Sequence, residues 1–337
     1  MKKPLLSICI PTYNRAKLLE DAIRSIVKQV PRALSSEIEI CVSDNASTDN
    51  TKSRVREWQK KSHIRIVYSR NRKNLGADNN YMRVIEIAHG EYCWYLSSDD
   101  EIEMGGVKKV LNEIGKNPEI GLFIVSREVY DIKLRRKLSR FDHSFDIMKK
   151  RQRFETPAEA ARRITTLLGY LSVLIFKRSE WNRAKPGYKE FIGSAYVLVY
   201  VLLKMIKNGS KVLFMPYKII KYRFGNDSFL DGLKLVGRSR IDIEGFYKIG
   251  ARVFGTHSKE QDAIVGNLFD TIMTRYRIAT IKIEGDRKSI NTIFAMYFKY
   301  YWRYLRFWTE LFPFMIVPKF IYVWASKTIF KSVYWGK

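Results

Sequence analysis

The sequence predicts an α/β fold: a mostly parallel sheet flanked by helices, followed by a helical C-terminal extension. Three observations predict it. Through the first 125 residues, short apolar runs alternate with segments of helical periodicity. Those runs are nearly continuous rather than alternating, as expected of strands covered on both faces. From Leu230 onward the pattern is helical to the end.

In order, Leu5 to Ile10 reads as a strand closed by Pro11, and Ala16 to Val30 as a helix with Leu19, Ile23, Ile26 and Val27 on one face. Ile38 to Val42 (strand), Thr51 to Lys61 (helix), Ile64 to Tyr68 (strand), Asn79 to Ala88 (helix) and Tyr92 to Leu96 (strand) continue the alternation, and a further helix surrounds Val107 to Ile114. Residues 127–155 are rich in Lys and Arg and read as a loop or excursion. Thr156-Pro157-Ala158-Glu159 has the form of a helix start, with Thr as cap and Pro in the first turn. Leu171 to Phe176 reads as a strand, Tyr196 to Lys207 as a helix ended by Asn208-Gly209, and Val212 to Tyr222 as a strand pair broken at Pro216. In open parallel sheets, ligands bind beyond the carboxyl ends of the strands. The segments after Ile10, Val42 and Leu96 are therefore where chemistry is to be sought.

The 337 residues carry 61 Lys+Arg against 34 Asp+Glu, a net charge of +27. At 46% hydrophobic the chain is too apolar for a disordered basic tail, and with Gly 19 and Pro 9 it is not collagen-like. Residues 1–125 hold 20 basic and 16 acidic residues, net +4, whereas 126–337 hold 41 and 18, net +23. The rear thus suits an anionic partner: phosphate, nucleic acid or an acidic membrane face. Cys9, Cys41 and Cys93 sit inside apolar runs without metal or redox spacing and read as buried small hydrophobes in a reducing compartment. The first apolar run is too short for a signal peptide, and no stretch reaches about 18 uninterrupted apolar residues, so the expectation is a protein neither exported nor membrane-spanning.

Three strand ends carry candidate chemistry. Pro11-Thr12-Tyr13-Asn14-Arg15 offers a ring to stack on a base, and Ser43-Asp44-Asn45-Ala46-Ser47-Thr48-Asp49 offers carboxylates to accept from a base or ribose. The second segment is equally readable as a turn that caps the next helix. Ser97-Ser98-Asp99-Asp100-Glu101 clusters three acids, which calls for a divalent cation or a helix N-terminus to offset their repulsion.

Taken together in this order, with Asn74-Leu75-Gly76-Ala77-Asp78 between the second and third, these segments resemble the family 2 glycosyltransferases of the GT-A fold. Tyr92-Cys93-Trp94, Phe176 to Asn182, Tyr188 to Tyr196 and Arg223-Phe224-Gly225-Asn226-Asp227-Ser228 extend the resemblance to the abequosyltransferase-type branch of O-antigen assembly. It implies a GT-A domain over 1–228, with a nucleotide-sugar half (1–125) and an acceptor half (126–228), and a membrane-associating extension over 229–337. Pro11, Thr12, Tyr13, Arg15, Asp44, Asn45, Asp78, Ser98 and Arg223 would bind the donor, with Thr12, Tyr13 and Asp44 at the base, Asp78 near the ribose or diphosphate, and Arg223 on the phosphates. Asp99, with Asp227 or Asn226, would hold Mn2+ or Mg2+, and Asp99, Asp100 and Glu190 are the candidate catalytic acids. Two departures stand out. Ser97 replaces the first acid of the D-x-D motif, and Gly193-Ser194-Ala195 stands where inverting members carry the acid that deprotonates the acceptor. Glu190 is the nearest carboxylate in sequence, and a retaining mechanism stays open. The implied reaction is transfer of a sugar, a dideoxyhexose such as abequose among the candidates, from a nucleotide donor to a lipid-diphosphate-linked oligosaccharide. A catalytically weak nucleotide- or nucleic-acid-binding protein is the other class the residues allow.

Residues 294–337 hold 17 of the 46 aromatic residues, with seven Lys and Arg against the single acid Glu310. Tyr and Trp favour the membrane interface while Lys and Arg reach anionic headgroups. Pro313 and Pro318 break the apolar run, which suits lying in an interface rather than crossing it. Packing of this stretch on the protein's own body is the alternative, and nucleic acid is not expected as a partner. The implied location is the cytoplasmic face of the bacterial inner membrane.

Overall fold

The computed structural model describes residues 3–138, 148–226 and 228–328. The chain divides into two units, Met1–Asn226 and Asp227–Lys337.

The first unit opens with strict alternation: β1 (Leu6–Thr12), α1 (Ala16–Val27), β2 (Ile38–Asp44), α2 (Thr51–Lys61), β3 (Arg65–Arg70), α3 (Ala77–Glu86) and β4 (Tyr92–Tyr95). It continues through β5 (Glu101–Ile102), α4 (Gly106–Lys116), β6 (Ile120–Tyr130), β7 (Gln152–Phe154), α5 (Pro157–Ile164), β8 (Leu174–Lys177), α6 (Arg178–Ala184), α7 (Val197–Lys207) and β9 (Lys211–Arg223). The sheet runs β3-β2-β1-β4-β8-β6-β9-β5, and β7 pairs with β9. β1, β2, β3 and β4 are mutually parallel, as the continuous apolar runs require. β8 enters antiparallel to both β4 and β6, so the sheet is mixed although mostly parallel in its front half. Every residue of β1 and β2 is buried. Cys9, Cys41 and Cys93 are buried free thiols in this core.

Two expectations are corrected here. The basic stretch from 127 is not loop from its start, because β6 runs through Tyr130. Its second half looked polar in sequence, but Ser126 and Arg127 are buried, and the Arg127 guanidinium lies 3.8 Å from the Tyr170 ring and 4.0 Å from the Tyr222 ring. Stacking on both faces lets a cation sit inside a strand. Likewise, Val212 to Tyr222 is not a strand pair. It lies within the single strand β9, whose register against β6 jumps from Val125↔Met215 to Ser126↔Lys218. Pro216 falls in that irregularity, where its missing N–H costs no ladder bond. The Thr156 cap forms as read, its side chain accepting from Glu159 N with Pro157 in the first turn.

The second unit is helical: α8 (Ser228–Phe254), α9 (Lys259–Thr271), α10 (Arg275–Glu284), α11 (Arg287–Tyr301), α12 (Phe312–Ile316) and α13 (Lys319–Thr328). Between α11 and α12, residues Phe307–Leu311 form a π-helical turn just ahead of Pro313. The aromatic residues divide. Tyr297, Tyr301 and Phe307 are fully buried in this unit's own core, while Phe298, Trp302, Trp308, Phe320 and Trp324 stay exposed. Among the described residues no helix is long and apolar enough to cross a membrane.

Candidate active site

The carboxyl ends of β1 and β2 and the loop before α3 are joined by short polar side chains. Asn45 Nδ2 donates to Asn74 Oδ1 (2.7 Å) and to the Gly76 carbonyl (3.2 Å), while its Oδ1 accepts from Leu75 N (2.9 Å). Asn80, in the first half of α3, accepts from Ser43 Oγ at 2.7 Å and donates to the Ser43 carbonyl at 3.0 Å. Asp49 receives Ala16 N at the start of α1 (2.9 Å) and Thr51 N at the start of α2 (3.1 Å), so one carboxylate satisfies orphan donors of two helices. The loops they brace contain non-glycine residues with positive φ, Asn14 (51°) and Ala46 (65°). Such strain persists only where the surroundings over-determine it.

Pro11 and Thr12 are buried at the end of β1. The Thr12 hydroxyl is buried without a hydrogen-bond partner. Tyr13, next in the chain, is exposed. Asp44 is fully buried, its Oδ1 accepting from Ser47 N (2.8 Å) and its Oδ2 from the Tyr68 hydroxyl (2.6 Å), with Arg70 Nε at 3.4 Å. Burial and the Asp44 carboxylate push the Tyr68 hydroxyl well above its ordinary range, so it stays a neutral donor.

Beyond β4, Asp99 is the meeting point of three segments. Its Oδ1 accepts from the Ser97 hydroxyl. Its Oδ2 accepts from Arg15 Nη1 at 3.0 Å and from Asn226 Nδ2 at 2.6 Å. Ser98 beside it is buried. Asp100 points inward instead: Oδ2 accepts from Ser172 Oγ (2.6 Å) and Oδ1 from Arg223 N (3.1 Å). Burial, reinforced by the neighbouring Asp99 charge, raises its carboxyl to about 7. Both Asp100 oxygens are thus committed to holding the loop. Arg223 is also buried, its Nε donating to the Asp99 carbonyl (2.8 Å) and its Nη1 to the Ile132 carbonyl (2.5 Å). Those bonds clamp the Asp99 segment.

Asp78, in the first turn of α3, is brought to the Gly193-Ser194-Ala195 turn. Its Oδ2 accepts from Gly193 N at 2.7 Å and from Ala195 N at 3.1 Å. Glu190 lies exposed in the short helical turn Tyr188–Phe191, just before it. Ser172 was missed as a site residue because it reads as part of an apolar strand. It sits in a 3-10 turn where it donates to Asp100 and accepts from Ser97 N at 2.9 Å.

Asp227 lies outside the described residues. Among the described residues no group of three or more His, Cys, Asp and Glu is gathered for a metal. The Asp99 carboxylate and Ser97 hydroxyl are hard oxygen donors. They fit Mg2+ or Mn2+ bound by one or two protein groups with substrate phosphates completing the shell.

The parallel front half of the sheet thus carries a carboxylate and arginine clamps beyond its strand ends, where open α/β sheets bind ligands. The family model for glycosyl transferase family 2 matches residues 7–175, and the chain belongs to that family. It is 31% identical over 230 residues to abequosyltransferase RfbV of Salmonella typhimurium, covering 67% of this chain and 68% of that protein. It is 37% identical over 111 residues to the GalNAc(5)-diNAcBac-PP-undecaprenol beta-1,3-glucosyltransferase of Campylobacter jejuni, a match to 33% of this chain and 34% of that one. In fold it is similar to S. aureus TarS 1-349 in complex with UDP-GlcNAc, with TM-score 0.62 and 15% identity over 88% of this chain and 81% of that chain. It is also similar to the mannosyltransferase PcManGT from Pyrobaculum calidifontis in complex with GDP-Man and Mn2+, with TM-score 0.54 and 16% identity over 100% and 89%. The fold is GT-A, as the motif order implied.

Proposed function

We propose that this glycosyltransferase moves a sugar of the dideoxyhexose type from a nucleotide donor to a lipid-diphosphate-linked oligosaccharide in surface polysaccharide assembly. The observation that carries it is the likeness to abequosyltransferase RfbV over two thirds of both chains. The likeness to a glucosyltransferase whose substrate is undecaprenol-linked supports the acceptor class.

In this reading the donor base lies against Thr12 and Tyr13 and bonds to Asp44. The unpartnered Thr12 hydroxyl supports a ligand at that strand end. Asp99, with Ser97, holds the divalent cation, which when bound offsets the charge gathering on the departing nucleoside diphosphate. Arg15 binds the same phosphates with its guanidinium, which lies beside Asp99. The extension then holds the enzyme on the anionic cytoplasmic face of the membrane, where the lipid-linked acceptor is found.

The test is transfer or donor cleavage with a panel of nucleotide sugars, with and without Mn2+. A dideoxyhexose donor should be preferred, chelation should abolish turnover, and Asp99→Ala should lower kcat by at least about a hundredfold. Full activity of Asp99→Ala would sink the metal assignment.

A further inference from the structure

Transfer of a sugar to a hydroxyl requires that the hydroxyl lose its proton as its oxygen bonds the anomeric carbon. A carboxylate with an uncommitted oxygen at the carboxyl edge of the sheet meets that need. Asp44, Asp49, Asp78, Asp99 and Asp100 lie at this edge. In four of them each oxygen already accepts a hydrogen bond: Asp44, Asp49, Asp99 and Asp100. Asp78 differs. Its Oδ2 is held by Gly193 N and Ala195 N, while its Oδ1 is buried with no hydrogen-bond partner. A buried carboxylate oxygen left unpaired calls for an explanation, and a ligand group supplies one.

Charge decides which ligand. Burial raises this carboxylate above its ordinary value, while the backbone N–H groups of Gly193 and Ala195 oppose that rise. Among the described residues no cationic side chain forms an ion pair or hydrogen bond with Asp78, so an anionic diphosphate here would face an unpaired carboxylate. A neutral hydroxyl would not. The turn that covers the carboxylate has positive φ at Gly193 (89°) and at Ala195 (65°), which aims both N–H groups at one oxygen. Gly193, which holds Oδ2, is itself part-exposed.

We propose that Asp78 is the catalytic base of this transferase. Its Oδ1 accepts the acceptor hydroxyl's hydrogen bond and then its proton. The hydroxyl oxygen's electron pair forms the bond to the anomeric carbon, and the bond from that carbon to the donor phosphate breaks, its pair leaving on the nucleoside diphosphate. The raised carboxyl makes Asp78 a stronger base than a surface aspartate. The assignment rests on the glycosyl-transfer reading above.

Donor cleavage with water as acceptor tests it without the natural acceptor. Nucleoside diphosphate release is compared between the full-length wild type and Asp78→Asn, with the affinity for that diphosphate measured by calorimetry. Asparagine keeps an oxygen for Gly193 and Ala195, so kcat should fall at least about a hundredfold while affinity stays within about threefold. The acid limb of the wild-type pH profile should disappear in the variant. Cleavage within about threefold of wild type overturns the proposal, as does an affinity loss that accounts for the rate loss, which would make Asp78 a donor ligand. Should Asp78→Asn melt early, formate added to Asp78→Ala decides: partial rescue supports the base, and no rescue overturns it. A wild type that binds no nucleoside diphosphate overturns the donor reading itself, whereas equal cleavage by wild type and variant overturns Asp78 alone.

Discussion

Arg15 spans two loops with one guanidinium, Nη1 at 3.0 Å from Asp99 Oδ2 and Nη2 at 3.4 Å from the Asn226 carbonyl. A lysine carries a single compact head and cannot reach both. Arg15→Lys should therefore keep the charge but cost about tenfold in kcat/KM, roughly 1.4 kcal/mol, with little change in Tm. Equal kcat/KM in the two proteins, read by donor cleavage, would show that the fork geometry is unused. At this scale the motif residues were legible in the sequence, because Arg15, Asp44 and Asp99 follow apolar strand runs whose ends define the site. Their partners were not. Arg15 and Asp99 are 84 positions apart, Asp99 and Asn226 are 127 apart, and local pattern says nothing about such pairs. Asp78 was legible as a donor-site candidate through the motif resemblance, but its partners were not, since the backbone N–H groups that hold it lie 115 and 117 positions away.

At the scale of elements, β2 carries a buried acid with a definite electrostatic role. Burial alone would raise Glu39, but the Ser7 hydroxyl, the His89 backbone N–H and the charges of His89 and Arg65 prevail and hold it below its ordinary 4.5. Ser7 Oγ lies at 2.7 Å and His89 N at 2.6 Å, so this carboxylate ties β1 and the segment before β4 to β2. A lowered carboxyl contributes stability above its unfolded value that is lost as pH falls through the folded one. Glu39→Gln should thus destabilise by about 1–3 kcal/mol at pH 7. The gap between wild type and variant in thermal or urea melts should narrow as pH drops below about 4.5. A gap independent of pH would contradict the charge argument. The parallel elements β1 to β4 were readable because burial on both faces leaves continuous apolar runs. β6 was not, since Ser126-Arg127-Glu128 imitates a solvent loop, whereas inside the fold Arg127 lies against the rings of Tyr170 and Tyr222.

For the molecule as a whole, the net +27 separates into +4 over residues 1–125 and +23 over 126–337. In the helical unit the aromatic and apolar residues divide. Tyr297, Tyr301 and Phe307 supply its core, whereas Leu305 (76% exposed), Phe320 (71%) and Ile316 (63%) have their apolar surface in water, alongside Trp302, Trp308 and Trp324. Lys299 and Arg303 are exposed in the same stretch. Apolar and indole groups beside exposed cations match the chemistry of an anionic bilayer interface, where the first are buried among acyl chains and the second reach headgroups. Each such side chain taken from water contributes about 1.5–3 kcal/mol, so three together account for at least about a thousandfold in partition. The full chain should float with vesicles containing phosphatidylglycerol, less with purely zwitterionic vesicles, and less again at high salt. Replacing Leu305, Ile316 and Phe320 together by serine should abolish flotation while leaving the Tm nearly unchanged, because none of the three is in the core. A triple variant that floats as well as the wild type would mean that these residues do not face lipid. Salt-insensitive flotation would mean that the rear charge serves another anion.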